Sequence, residues 1–82
     1  MDYDKRIDAA YTQISAVKSK VARKDLLLML RATEAAYTKM DKESVECRRL
    51  RKETPKYQDL LRDFEELLAN LEKHITFASL LN

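Results

Sequence analysis

No glycine occurs anywhere in these 82 residues, and proline occurs once, at Pro55. Tight hairpins and phosphate-cradling loops need backbone at positive φ, which glycine adopts freely and asparagine tolerates. Only Asn70 and Asn82 are available for that purpose. Hairpin-built sheets are therefore excluded, and with them the P-loops, dinucleotide fingerprints and nucleophile elbows whose turns depend on glycine. What remains is an all-α chain with very short connections, organised as a single helical domain, 1–82.

The charge balance is 16 Lys and Arg against 14 Asp and Glu, a formal +2, too small by itself to imply a polyanionic partner. Both signs are interspersed with Leu, Ile, Tyr and Val, which argues against disorder from excess charge. Cys47 is the only cysteine, so no internal disulfide forms, as expected in a reducing compartment. The longest apolar run, Leu26 to Leu30, has five residues, against the roughly 20 that a membrane span requires. The beginning, Met-Asp-Tyr-Asp-Lys-Arg, is charged and leads into no apolar signal region. The expectation is a soluble, cytoplasmic chain.

Apolar residues at Tyr3, Ile7, Ala10, Ile14, Val17 and Val21 follow one another at steps of four, three, four, three and four, a heptad seam. Asp2 and Asp4 begin the segment, and Lys18, Lys20, Arg23 and Lys24 end it, which suits the helix dipole at both termini. This spacing predicts a first helix over about 3–22, with Asp25 as N-cap of the next. A second helix follows over about 25–53, through the Leu26–Leu30 cluster, Thr33, Ala36, Tyr37, Met40, Cys47 and Leu50. Its apolar face thins after Asp41, so that end is expected to project beyond the compact core or to be covered on one side only. No Gly or Pro separates these two helices; two separate helices is the reading adopted, with one long bent helix as the alternative.

Thr54-Pro55 is the clearest boundary. Thr54 is placed to accept an early amide as N-cap, and Pro55 at the first helical position has a preset φ and no N–H to leave unpaired. Proline disfavours helical geometry at Thr54, so the second helix must end before it. The third helix, about 55–80, carries Tyr57, Leu60, Leu61, Phe64, Leu67, Leu68, Leu71, Ile75, Ala78 and Leu81. It would be near 39 Å long at 1.5 Å per residue and should be the central element. The second and third helices form an antiparallel hairpin with the first packed alongside, a three-helix bundle or coiled-coil-like arrangement.

Residues capable of chemistry read as structural. His74, the only histidine, sits at the edge of the third helix's apolar stripe with no ligand-spaced Cys, Asp or Glu. Arg48 and Arg49 beside Cys47 could activate its thiol, but no histidine is near it in sequence, and a small packing residue is the better reading. Asp63, Glu65 and Glu66 belong to a solvated face opposite Leu67, Leu68 and Leu71, with no Glu-x-x-His partner. No enzyme and no cofactor is read here. The cations Arg48, Arg49, Arg51 and Lys52 suit the end of the second helix; contact with nucleic acid or an acidic surface is the alternative, offset by Glu43, Glu46 and Glu53.

The apolar surplus is more informative. Leu60, Leu61, Leu67, Leu68, Ile75, Phe77, Leu80 and Leu81 are more than two short neighbouring helices readily cover, so some should face another chain; the alternative is a three-helix bundle that hides them all. Residues Tyr57, Leu61, Leu68, Leu71, Ile75 and Ala78 are the expected partner-binding set, and self-association through Ile7, Ile14, Val17 and Val21 is a further route.

Glu46-Cys47-Arg48-Arg49, then Pro55-Lys56-Tyr57-Gln58 opening a helix, then Leu71-Glu72 leading into an apolar stretch, resembles the small needle-subunit co-chaperones of type III secretion systems. The resemblance spans less than half the chain. It implies a cytosolic helical hairpin that binds a larger helical-repeat chaperone and helps keep a needle subunit from polymerising before export. The short glycine-free linker and the additional N-terminal helix depart from that pattern. Glu34, Met40-Asp41, Pro55 and Leu71-Glu72 also resemble the three-helix N-terminal regulatory domains of some SNARE proteins, without a SNARE motif or membrane anchor.

Overall fold

The computed structural model describes residues 3–81 and consists of three helices: α1 (Tyr3–Ser15), α2 (Lys20–Leu50) and α3 (Pro55–Leu80). The all-α hairpin with an added N-terminal helix is the architecture expected, and α1 and α2 are separate helices. Asp2, expected at the first helix start, lies outside the described residues. The molecule is a rod of 47 × 18 × 16 Å. Its long axis matches the roughly 46 Å of α2 at 1.5 Å per residue.

The joint between α1 and α2 differs from expectation. The first helix stops at Ser15 rather than near 22, and Ser19, not Asp25, caps the second: its Oγ accepts the Ala22 amide at 3.3 Å, and its carbonyl accepts the Arg23 amide at 2.9 Å. Two tightened turn bonds, Ala16 to Gln13 and Val17 to Ile14, end α1. Val17 is buried just past the helix end, and its carbonyl accepts a bond from the Arg23 guanidinium at 3.0 Å. The heptad spacing thus continues through a reversal of the chain. Val17 plugs the core, whereas Val21, one seam step on, is 73% exposed.

The second helix ends at Leu50, two or three residues earlier than expected, in a Schellman arrangement: the Lys52 amide donates to the Cys47 carbonyl and the Arg51 amide to that of Arg48. Arg51 carries the reversal at φ 56°, the only described residue at positive φ. Thr54 caps α3 as read, accepting the Tyr57 amide at 3.0 Å. Its hydroxyl donates to Glu43 Oε2 at 2.8 Å, which ties the start of α3 back to α2.

Two clusters make the core. Ala10, Ile14 and Val17 pack with Leu26 and Leu30 of α2 and Leu71 and Ile75 of α3. Farther along the rod, Met40, Phe64 and Leu68 form the second, flanked by Tyr3, Tyr37, Tyr57, Leu60 and Leu61. As expected for the central element, α3 contributes to both. Tyr3 stands edge-on to Phe64, ring centroids 4.9 Å apart, and Tyr37 lies 5.1 Å from Phe64, so one aromatic group joins all three helices. Thr33 is buried and donates to the Met29 carbonyl at 2.9 Å. Among the described residues no buried side-chain polar atom lacks a partner.

The first helix runs alongside α3 in the same direction. Tyr3 meets Glu65, Arg6 meets Glu72, and Ile14 shares a cluster with Ile75. Because Tyr3 sits beside Tyr37 and Phe64, the hairpin from about 41 to 60 extends past α1 as a two-helix tip. Val45 and Leu50 are exposed there, and Cys47 is buried with its Sγ 3.7 Å from the Thr54 hydroxyl.

Candidate functional site

The expected partner-binding set divides. Leu68, Leu71 and Ile75 are fully buried, because the stripe that makes α3 apolar is the one that packs on α1 and α2; in this fold they hold the bundle and present no surface. Tyr57 and Leu61 are half-buried over the second cluster. Ala78 is half-buried and lines a groove.

That groove, of about 620 Å³, runs between the first turns of α2 and the last turns of α3. Ala22, Leu26 and Met29 line one side, His74, Ala78 and Leu81 the other, and Val17 to Ser19 one end. No residue of α1 lines it, so it lies on the flank of the hairpin that α1 leaves uncovered. Val21 and Leu28, seven apart and hence on one face of α2, are exposed, and Phe77, Leu80 and Leu81 are 62%, 77% and 84% exposed at the end of α3. Exposed apolar side chains of this kind on a small bundle are consistent with a protein-interaction surface. Part of the surplus therefore does face outward, through Phe77, Leu80, Leu81 and Leu67, with Val21 and Leu28 added from α2. Sequence spacing shows Val21 and Leu28 together only once the helix is known to begin at Lys20.

A separate recess, on the side of α2 away from the groove, is basic. Lys20, Lys24 and Arg31 line it with Arg23, Leu27 and Leu28, and Lys18 lines the groove itself. Asp25 is the acidic residue lining it. His74 is exposed, its Nδ1 2.8 Å from the Asn70 carbonyl. Toward the tip the same flank of α3 turns acidic: Asp63 and Glu66 lie around the exposed Leu67 and Asn70. They share a patch with Leu67 rather than standing opposite it.

The cations at the end of α2 do not form one field. Arg49 pairs with Glu46; that hydrogen bond holds the Glu46 carboxyl below its ordinary value and raises the Arg49 guanidinium. Arg48, Arg51 and Lys52 surround a recess of about 560 Å³ together with Asp41, Glu53 and Tyr57, so both signs line it. Among the described residues no group of three His, Cys, Asp or Glu is placed to hold a metal ion, and no helix is long and apolar enough to cross a membrane.

The fold and surface define a small three-helix bundle with exposed hydrophobic residues, consistent with a protein-interaction surface. No family model matches the chain, and no curated protein or solved structure matches it either.

Proposed function

We propose that this chain is a helical protein-interaction subunit, chaperone-like in holding a partner against an apolar helix flank. One observation carries the reading: among the described residues every buried side-chain polar atom is satisfied, yet Val21, Leu28, Phe77, Leu80 and Leu81 remain exposed, and Leu81 lines a groove between α2 and α3. Burying such side chains in a complex is favourable by about 25 cal/mol per Å² of apolar surface. The resemblance of residues 46–81 to type III secretion needle co-chaperones supports a specific form of this function. In that form the chain is a cytoplasmic subunit that joins a helical-repeat chaperone in keeping a needle subunit unpolymerised.

Titration calorimetry of the purified chain against a purified helical-repeat needle chaperone tests the specific form. Phe77→Asp with Leu81→Asp should abolish binding while leaving the unfolding midpoint nearly unchanged, because both side chains are already in water. Binding that survives this change would overturn the placement of the surface. No binding by the wild-type chain would overturn the secretion reading.

A further inference from the structure

We infer that α1 is an exchangeable arm: the joint between α1 and α2 straightens into one continuous helix, and each α1 then docks in the α1 seat of a second copy of this chain. The face involved lies beneath α1, apart from the flank of the proposed function, and the two can fail separately. Four residues, Ala16, Val17, Lys18 and Ser19, separate the helices, and none is the glycine or proline that would hold a chain reversal. The closed joint rests on the Ser19 cap and on the bond from the Arg23 guanidinium to the Val17 carbonyl. A straight helix from Tyr3 to Leu50 would give the same backbone groups ordinary intrahelical partners four residues away.

The exposed side chains of α2 point the same way. In a straight helix Ile7, Ile14, Val21 and Leu28 recur every seven residues on one stripe. The closed molecule breaks that stripe: Ile14 is buried, while Val21 is 73% and Leu28 55% exposed. Leu26, Leu30 and Thr33, positions that α2 buries, lie about 150° round the straight helix from it. Straightening therefore turns the apolar face of α1 away from its own α3 and strips its cover from Leu26, Leu30, Leu71 and Ile75. The element shaped to replace that cover is the α1 of another copy, which remakes the closed-form contacts, among them Arg6 with Glu72 and Tyr3 with Phe64. Two-fold symmetry makes the exchange reciprocal. Its axis falls near Lys20, midway in sequence between Ile14 and Leu26, which share a cluster, and between Tyr3 and Tyr37, whose rings meet. Val21, on the stripe with Ile14, then faces the other copy beside that axis.

The full chain, unfolded in urea and refolded at high concentration, should yield a species of twice the 9.6 kDa chain mass in sedimentation equilibrium. Lys20→Pro should abolish it. That position is the first of α2, behind an N-cap already extended at ψ 121°, so proline fits the closed form as Pro55 does behind Thr54, and it forbids the continuous helix. Lys20→Ala, which removes the charge and keeps the helix, should leave the dimer in place. Arg6→Glu and Glu72→Arg give an independent test. Each alone sets like charges together in monomer and homodimer alike, whereas in an exchanged heterodimer both contacts join opposite charges. Their equimolar mixture, refolded together, should dimerise about tenfold more readily than either variant alone, with circular dichroism checking that each is helical. A chain that stays monomeric after concentrated refolding would overturn the exchange. So would a dimer that survives Lys20→Pro, or a mixture that pairs no better than its components.

Discussion

Arg6 grips the carboxylate of Glu72 through two bonds, Nε to Oε2 at 3.1 Å and Nη2 to Oε1 at 2.6 Å, across 66 positions of sequence. The hydrogen bonding that Arg6 donates to Glu72 is the main reason its guanidinium is pushed further above its ordinary value. With the aromatic contact of Tyr3 it is what holds α1 in register on α3. Both side chains are about 40% exposed, so solvent screening reduces what the pair contributes.

Arg6→Ala should therefore cost only about 1 kcal/mol of global stability, in the low range for a bidentate charge-assisted pair. Its effect should be concentrated in α1. Hydrogen exchange of residues 3–15 should accelerate while the α2–α3 hairpin keeps its protection, and the swapped pair Arg6→Glu with Glu72→Arg should restore much of it. Uniform acceleration over all three helices would show that α1 does not detach on its own.

Thr54 has a larger task than an ordinary cap. Its oxygen accepts the Tyr57 amide and its proton goes to Glu43, whose side chain is 13% exposed and otherwise 3.8 Å from the Lys56 ammonium. Thr54→Val keeps the shape and removes both bonds, so it should cost about 2–3 kcal/mol, whereas Thr54→Ser should cost under about 1 kcal/mol. Urea unfolding of the two variants is the check. A larger loss in Thr54→Ser than in Thr54→Val would mean the methyl group, not the hydroxyl, holds the tip.

The contrast between the two joints shows what was legible from the residues. Thr54-Pro55 declares itself because proline forbids a continued helix and threonine caps one, and the structure turns there. The earlier turn hides behind Val17 and Val21, which keep the four–three spacing although one is buried past the end of α1 and the other faces water on α2. Periodicity records which side chains are apolar, not where the chain reverses. The same limit displaced the partner surface: Leu68, Leu71 and Ile75 are the strongest apolar positions of α3, and the strongest positions are those the core takes. What is left for a partner depends on where α1 lies, which no local pattern states.

Ser19 gives that joint a direct measurement. Ser19→Ala should cost about 1 kcal/mol through the lost cap, while Asp25→Ala, one turn inside an already formed helix, should change stability by less than about 0.5 kcal/mol. Thermal or urea unfolding that ranks them the other way would return the helix start to Asp25.

In a chain without glycine, Arg51 occupies the one left-handed position among the described residues. A β-carbon there costs about 1–2 kcal/mol, partly offset in the glycine variant by the greater freedom of its unfolded chain. Arg51→Gly should raise stability by about 0.5–1 kcal/mol, seen as a higher denaturation midpoint with an unchanged slope. A fall in the midpoint would mean that the arginine side chain makes a contact worth more than the strain.

Alkaline pH should loosen the aromatic joint at the start of α1. Burial first, then the hydrogen bond that the Tyr3 hydroxyl donates to Glu65 at 3.1 Å, pushes the Tyr3 phenol above its ordinary value of 10.0. The folded state therefore favours the neutral phenol. Its contribution is fully present below pH 10, and it is lost as pH rises from the unfolded value through the raised folded one, because the unfolded chain releases its proton first. Tyr3→Phe retains the edge-on contact with Phe64 and removes the ionisation. At pH 7 it should cost about 0.5–1 kcal/mol for the missing hydrogen bond. Between pH 9.5 and 11 the wild-type chain should lose stability faster than the variant, so the gap between their urea midpoints narrows. A gap that stays constant across that range would place the Tyr3 hydroxyl in water and away from Glu65.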